Sequence, residues 1–246
     1  MSAAQPLVLY GMHSPNVRKV ILMLEELGLD YDLRHVSVFK GEQFTPEFLA
    51  MNPLGKVPVL VDPKLGAPLA ESGAILFWLA ERSSEFLPSQ GPARYEVMQW
   101  LMVQMANVGP MLGQLNHFNM LRKTETYAAG RYSVQAQKLY RLLDDRLASR
   151  AWIAGGAYSI ADIATYPWAE YLEQHGFDPV AHPALVRWRS AIGERPAVAR
   201  MRERLGGAFA DLANETRRAA TAEDLDRFFG RTAAMPPADF SAVTRR

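Results

Sequence analysis

Two hydrophobic periods alternate along the first 86 residues of the chain. Leu7-Val-Leu-Tyr10 is a short apolar run of the kind a buried strand uses, closed by Gly11. Val17, Val20, Ile21 and Leu24 then recur at the spacing of one helix face. Ser14 precedes them as an N-cap, Pro15 stands at the first helical position, and Gly28 supplies a stop. Residues 31–38 predict a second strand that returns beside the first through this helix, which makes a parallel βαβ unit. Pro58-Val-Leu-Val-Asp62 and Pro68-Leu-Ala70 predict two short strands around Pro63-Lys-Leu-Gly66, a turn-rich connection that favours an antiparallel hairpin. A helix over residues 72–82 closes the unit.

After Leu87-Pro-Ser-Gln-Gly-Pro92 the strand period disappears. Met98, Leu101, Met102, Met105 and Val108 share one helical face, and a second helix over residues 128–147 carries Leu139, Leu142, Leu143 and Leu147 on one side. A third begins at Ser159, where Ser159-Ile-Ala-Asp162 has the spacing of a capping box and Tyr158 and Ile163 that of a hydrophobic staple. Pro183 and Pro196 each open a further helix. The chain therefore divides into an α/β domain over residues 1–86, a linker over 87–92, an all-helical domain over 93–205 and an extension over 206–246. In the extension, Thr221-Ala-Glu-Asp224 caps one short amphipathic helix bearing Leu225, Phe228 and Phe229. The remainder, with Met235-Pro-Pro237, reads as a mobile tail. No repeat of fixed period interrupts this order.

Composition narrows the chemistry. With 49% hydrophobic residues the 246-residue chain can bury a substantial core, so disorder is excluded as its dominant state. Lys+Arg 27 against Asp+Glu 26 leaves a formal net charge of +1, which argues against nucleic acid as a partner. There is no cysteine, so disulfide scaffolds, thiolate metal sites and catalysis by a protein thiol are all excluded. Any thiol chemistry must use a thiol brought from outside. Residues 1–5 lack a positive or apolar leader, and the longest apolar stretch, residues 73–80, is too short to cross a bilayer. A cytoplasmic protein with no membrane partner is expected.

Walker loops, dinucleotide fingerprints, G-x-S-x-G elbows and H-E-x-x-H helices are absent. His13, His35, His117, His175 and His182 show no ligand spacing, so no metal is expected. Met98, Met102, Met105 and Met111 fit a core stripe better than a pliable pocket or dimer face. Arg217-Arg218 and Arg245-Arg246 read as solvated rather than as a docking patch.

Three places carry candidate chemistry. Ser14-Pro-Asn16 sits at a helix amino end, where free amides and the dipole favour a negative charge; simple capping is the plainer reading. In Lys56-Val-Pro58 a strand-leading proline of cis geometry frees the Val57 backbone to pair with an extended ligand, against an ordinary edge-strand proline. Glu71-Ser72 opens a helix straight after a strand. Its carboxylate suits an ammonium, and its hydroxyl and helix amides suit a carboxylate, which together recognise an α-amino acid end. The plainer reading is a capping serine beside a solvated glutamate.

The order of these elements and motifs resembles the glutathione transferase superfamily over residues 7–205. Lys56-Val-Pro58, Glu71-Ser-Gly-Ala-Ile75 and Tyr158-Ser-Ile-Ala-Asp162 are its strongest markers. Gln99-Trp-Leu-Met-Val-Gln104, Gly109-Pro-Met-Leu-Gly-Gln114 and Arg131-Tyr resemble the bacterial Nu class, related to the yeast prion-forming nitrogen regulator. Two features depart from it: Ser14-Pro-Asn-Val-Arg-Lys19 also resembles the phi class, and Asn116-His117 replaces the paired histidines common in the Nu class. The resemblance implies a thioredoxin-like α/β amino-terminal domain that binds glutathione, followed by an all-α helical-bundle domain that shapes the second-substrate pocket, in a homodimer. It implies Ser14 and Asn16 at the sulfur, Gln43 and Lys56 near the glycyl end, and Val57, beside Pro58, paired with the cysteinyl backbone. Glu71 and Ser72 would hold the γ-glutamyl end, and Asn107 and Arg131 would complete the site from the helical domain of one subunit or the other. Tyr10, at a strand end, competes for the sulfur but is better read as core.

A thiol of pKa about 8.5 is only a few per cent thiolate near neutral pH, and the thiolate is the nucleophile. Lowering that pKa by about two units requires about 2.7 kcal/mol of differential stabilisation, the size of one charge-assisted hydrogen bond plus a helix dipole. Three functions are compatible with such a site: addition of the glutathione thiolate to an electrophile, reduction of disulfides or peroxides with all redox-active sulfur on glutathione, or a non-catalytic binding or regulatory module of the same fold.

Overall fold

Strand β1 (Leu7–Gly11) places Leu7 and Leu9 inward, and helix α1 (Pro15–Glu26) crosses back to bring β2 (Tyr31–His35) parallel beside it. The computed structural model describes residues 7–121, 126–235 and 239–245. Residues 1–5, Pro236, Pro237 and Arg246 lie outside them. Strand β3 (Val59–Val61) pairs antiparallel with β1 and with β4 (Leu69–Ala70), giving a four-stranded mixed sheet of order β2-β1-β3-β4. Helix α3 (Ser72–Ser83) comes at once after β4.

Beta-branched Val36 and Val38 prolong the strand pattern in sequence, yet β2 stops at His35. Two 3-10 turns, Val38–Lys40 and Glu42–Phe44, and the short helix α2 (Pro46–Met51) fill the connection to β3. Gly41 between the turns has φ +82°, a left-handed conformation that ends extended structure.

The helical domain runs α4 (Gly91–Val103), α5 (Gly109–Met120), α6 (Tyr127–Leu147), α7 (Ile160–Ala169), α8 (Pro183–Gly193) and α9 (Pro196–Arg204). Every residue of α7 is buried, which makes it the central helix, and its start is fixed by a complete Ser159–Asp162 capping box. Asp162 also accepts from Ile153 N at 2.9 Å and Trp188 Nε1 at 2.8 Å, so one carboxylate joins three segments. Helix α1 is buried along most of its length because it packs on α3 and, across the domain boundary, on α7 and α9.

Three sequence expectations need correction. The face running from Met98 to Val108 is not one regular helix: a π-helical turn, Gln104–Val108, separates α4 from α5. Met102 is accordingly 54% exposed, and the methionine stripe is not uniformly core. On α6, Leu143 and Leu147 are buried but Leu142 is 43% exposed, at the edge of the apolar face. The extension is also more ordered than a tail. Helix α10 (Gly207–Arg218) precedes the expected α11 (Ala222–Phe229), whose Thr221–Asp224 capping box is complete, and α12 (Ser241–Thr244) lies beyond it. Phe228 packs on Phe39, Phe229 stacks on Phe240 with ring centroids 4.7 Å apart, and Lys40 pairs with Asp224 at 2.6 Å. Phe39 and Lys40 thus hold this segment against the first domain, while the Phe229–Phe240 stack is internal to the extension.

Candidate active site

A cleft of about 370 Å³ opens between the domains, lined by α1, residues 52–58, the start of α3, the π-helical turn, α5 and α7. At the α1 end, Ser14 is the N-cap and its Oγ accepts from Val17 N at 3.4 Å. Pro15 has no N–H, and the Asn16 N–H has no partner among the described residues, so it remains a donor at the positive end of the helix. The Asn16 side chain lines the cleft. Its Oδ1 accepts from Trp168 Nε1 at 3.2 Å, which fixes the amide orientation and leaves the NH2 as donor. Ser14 itself is not among the lining residues; its Oγ accepts as a cap, which leaves its O–H as a donor.

Across the cleft, the Val57–Pro58 peptide is cis. Val57 lies outside the β1–β3 ladder, and its backbone groups have no partner among the described residues. The loop before it is held by buried Asn52, which donates to Lys56 O at 2.7 Å and accepts from Leu54 N at 3.1 Å. Exposed Lys56 sits at the rim. Gln43 is buried in the second 3-10 turn, away from the lining, with its Oε1 unpartnered.

Glu71 is the N-cap residue of α3 and adopts φ 67°, ψ 111°. A non-glycine residue held there indicates a constrained position of the sort that clusters at binding sites. Ser72, buried at the first helical position, is next in the chain, and no side chain caps the α3 amides. The pair therefore presents an exposed carboxylate beside a hydroxyl and a free helix terminus, the arrangement the sequence suggested. Asn107, in the π-helical turn, and Arg131, on α6, are exposed and lie outside this cleft. Tyr10 also lies outside it, its hydroxyl accepting from Arg34 Nη1 at 3.1 Å.

Sequence reasoning missed Lys19, Gln104 and Trp168. Lys19 is one turn beyond Asn16 on α1 and only 1% exposed; its Nζ donates to Gln104 Oε1 at 2.7 Å and to Ser72 Oγ at 3.3 Å. Burial pulls this ammonium down to about 7, with Glu71 acting in the opposite sense. Gly109 and Gly113 offered a signal for Trp168, because small residues one turn apart mark close helix approach. A Cβ at Gly113 would lie 3.3 Å from the Trp168 ring. No group of three or more His, Cys, Asp or Glu suited to a metal occurs among the described residues.

A second cavity of about 460 Å³ continues along successive turns of the same walls. Asn16 gives way to His13, Gly113 to Asn116 and Trp168 to Tyr171, while Ala213 and Arg217 of α10 close the far side. Burial, then Arg18, holds His13 below its ordinary pKa, so its imidazole is neutral at neutral pH.

The fold is a thioredoxin-like α/β domain followed by an all-helical domain, with the cleft at their junction. Residues 13–82 match the N-terminal domain of the glutathione S-transferase family and residues 111–196 its C-terminal domain. The chain belongs to that family. It is 44% identical over 195 residues to the disulfide-bond oxidoreductase YfcG of Escherichia coli strain K12, covering 77% of this chain and 91% of that protein. A glutathione transferase family member from Pseudomonas fluorescens Pf-5, solved with two glutathione bound, superposes with a TM-score of 0.74 at 41% identity, covering 82% of this chain and 94% of that one. Ure2p in complex with glutathione superposes with a TM-score of 0.76 at 26% identity, covering 82% of this chain and all, 100%, of that one. The Nu-like and Ure2-like relationship expected from the sequence is borne out.

Proposed function

We propose that this chain is a glutathione-dependent enzyme that binds glutathione across the inter-domain cleft, holds its sulfur as a thiolate at Asn16, and reduces disulfides. The observation that carries this is the Trp168–Asn16 hydrogen bond, which leaves the Asn16 amide NH2 and backbone N–H as donors at one helix terminus. Glu71 and Ser72 take the γ-glutamyl end, Val57 the cysteinyl backbone, and Lys56 at the rim the glycyl end. Pro58 shapes the turn between them.

In the first step the glutathione thiolate attacks one sulfur of a disulfide, forming a mixed disulfide and expelling the other half as a thiolate, which takes a proton from water. A second glutathione thiolate then attacks the glutathione sulfur of the mixed disulfide, giving glutathione disulfide and releasing the remaining half. The adjoining cavity beside His13 and Asn116 has room for that second reactant. The related structure with two glutathione bound supports this arrangement. Holding both thiols removes much of the entropic barrier of a bimolecular step. The same thiolate also serves conjugation to an electrophile or reduction of a peroxide. A reductant of this kind is supplied in a reducing compartment such as the cytoplasm. Leu69, Phe77, Trp78 and Met98, beside exposed Met102, line an apolar groove on α3 and α4 that fits a second copy of the chain in a homodimer.

The purified protein with glutathione should reduce hydroxyethyl disulfide, tested alongside a haloaromatic and an organic hydroperoxide. Rapid conjugation without disulfide reduction would replace the reductase reading with an ordinary transferase one. Inactivity on all three, with intact glutathione binding, would leave a binding module.

A further inference from the structure

Lys19 is a buried lysine with no counter-ion in contact among the described residues. Its Nζ touches only neutral groups: Gln104 Oε1 at 2.7 Å, Ser72 Oγ at 3.3 Å and Met105 Sδ at 3.7 Å. Around it, the start of α3 brings Glu71 and the loop before β3 brings Lys56, both at the cleft. Helix α7 brings Asp162, whose carboxylate is taken by Ile153, Ser159 and Trp188. On α1 itself Arg18 pairs with Glu170, and toward α9 Glu25 and Glu26 pair with Arg200 and Arg195. The π-helical turn Gln104–Val108 carries no titratable residue.

A second, independent feature stands beside it. Gln104 is fully buried on the cleft wall, and because its Oε1 is committed to Lys19, its Nε2 is left as a buried donor without a partner. The Ser72 hydroxyl, the uncapped amides of α3 and the Lys19 ammonium behind them therefore converge on one side of the cleft. All three favour the same occupant, a carboxylate.

We propose that Lys19 is the buried counter-charge of the γ-glutamyl carboxylate, and that it takes up a proton as glutathione binds. This rests on the reading that glutathione occupies the cleft with its γ-glutamyl end at Glu71 and Ser72. Burial draws the Lys19 ammonium down to about 7, so without a facing anion it gives up its proton as the pH rises through neutrality. A carboxylate seated at Ser72 supplies the missing negative charge, restores the ammonium and couples binding to pH. Lys19 thus acts on recognition through Ser72 and Gln104, as a positioning residue, and takes no part in the chemistry at sulfur.

The probe is S-methylglutathione, which has no thiol proton to release. Calorimetric titrations in buffers of different ionisation enthalpy give the protons taken up as the slope of observed heat against that enthalpy. At about pH 8 the parent should take up about one proton on binding, and at about pH 6, where Lys19 is already charged, close to none. In Lys19→Met the uptake should vanish at both pH values. Absence of uptake near pH 8, or uptake of the same size in Lys19→Met, overturns the proposal. Should Lys19→Met not fold, the pH dependence in the parent decides alone, since uptake unchanged between the two pH values contradicts it. Failure of S-methylglutathione to bind at all would instead overturn the glutathione reading on which the proposal stands.

Discussion

At the scale of single residues, the site works by fixing a few polar groups so that each has one free valence. Trp168 occupies the oxygen of the Asn16 amide, so that amide faces the cleft as a donor, while Gln104 gives its oxygen to buried Lys19. Glu71 does the converse, holding a carboxylate at the rim from a backbone conformation that few side chains adopt. Glu71→Ala keeps the Cβ and that backbone while removing the carboxylate. It should weaken glutathione binding by about 1.5–3 kcal/mol, the range for a hydrogen bond to a charged group. Calorimetry checks this, and unchanged affinity would reduce Glu71-Ser72 to a helix start. These residues were legible in sequence to different degrees. Glu71-Ser72 and Val57-Pro58 announce themselves because helix starts and strand prolines have local signatures. Lys19 does not, because a lysine on an otherwise apolar helix face looks like solvent-facing punctuation until α7 and the π-helical turn are packed over it. Ser14 stands at the right helix end, and its Oγ accepts from Val17 N while its O–H stays available to donate.

At the scale of elements, two capping boxes fix the central helix α7 and the extension helix α11. Asp162 is buried within the first, and burial raises its carboxyl to about 6 against the opposing pull of Ile153, Trp188 and Ser159. Asp162→Ala strands buried donors on three segments and should destabilise the fold by about 3 kcal/mol or more, read from denaturant midpoints. A loss below about 0.5 kcal/mol would mean that α7 does not depend on its cap. The second box, Thr221–Asp224, anchors α11, and Lys40 in the first place, then Thr221, holds Asp224 down to about 2. A carboxyl depressed in the folded state supports docking above its unfolded value of about 4 and loses that support as pH falls toward its folded value. Asp224→Ala should therefore speed amide hydrogen exchange across residues 207–229 at neutral pH, and the difference from the parent should shrink in acid. Equal exchange at neutral pH would show that Phe39, Phe228 and Phe229 hold the extension unaided. The capped helices were readable from spacing alone. The π-helical turn was not, since an inserted residue preserves local helical periodicity while rotating the helix beyond it. Helix α10 was missed because its register is Ala-rich and buries no residue fully.

At the scale of the whole molecule, the two domains meet along α1, and the inter-domain cleft and the adjoining cavity share that seam. The absence of cysteine requires every exchanging sulfur to come from glutathione or its substrate. Disulfide reduction therefore consumes a second anionic glutathione, and exposed Arg131 is the helical-domain cation proposed to neutralise its carboxylates, from one subunit or the other. Arg131→Ala should reduce kcat/KM for disulfide reduction about tenfold while changing single-glutathione conjugation less than about threefold. Equal losses in both would make Arg131 a general structural residue.

The central claim is that Asn16, aimed by Trp168 at the end of α1, holds glutathione as a thiolate. Its most direct test is the ultraviolet thiolate absorbance of bound glutathione, titrated against pH in the parent, Asn16→Ala and Ser14→Ala. The parent should titrate about two units below free glutathione, Asn16→Ala should return most of that shift, and Ser14→Ala should change it less. A parent that titrates like free glutathione, or an Asn16→Ala variant indistinguishable from it, would contradict the claim.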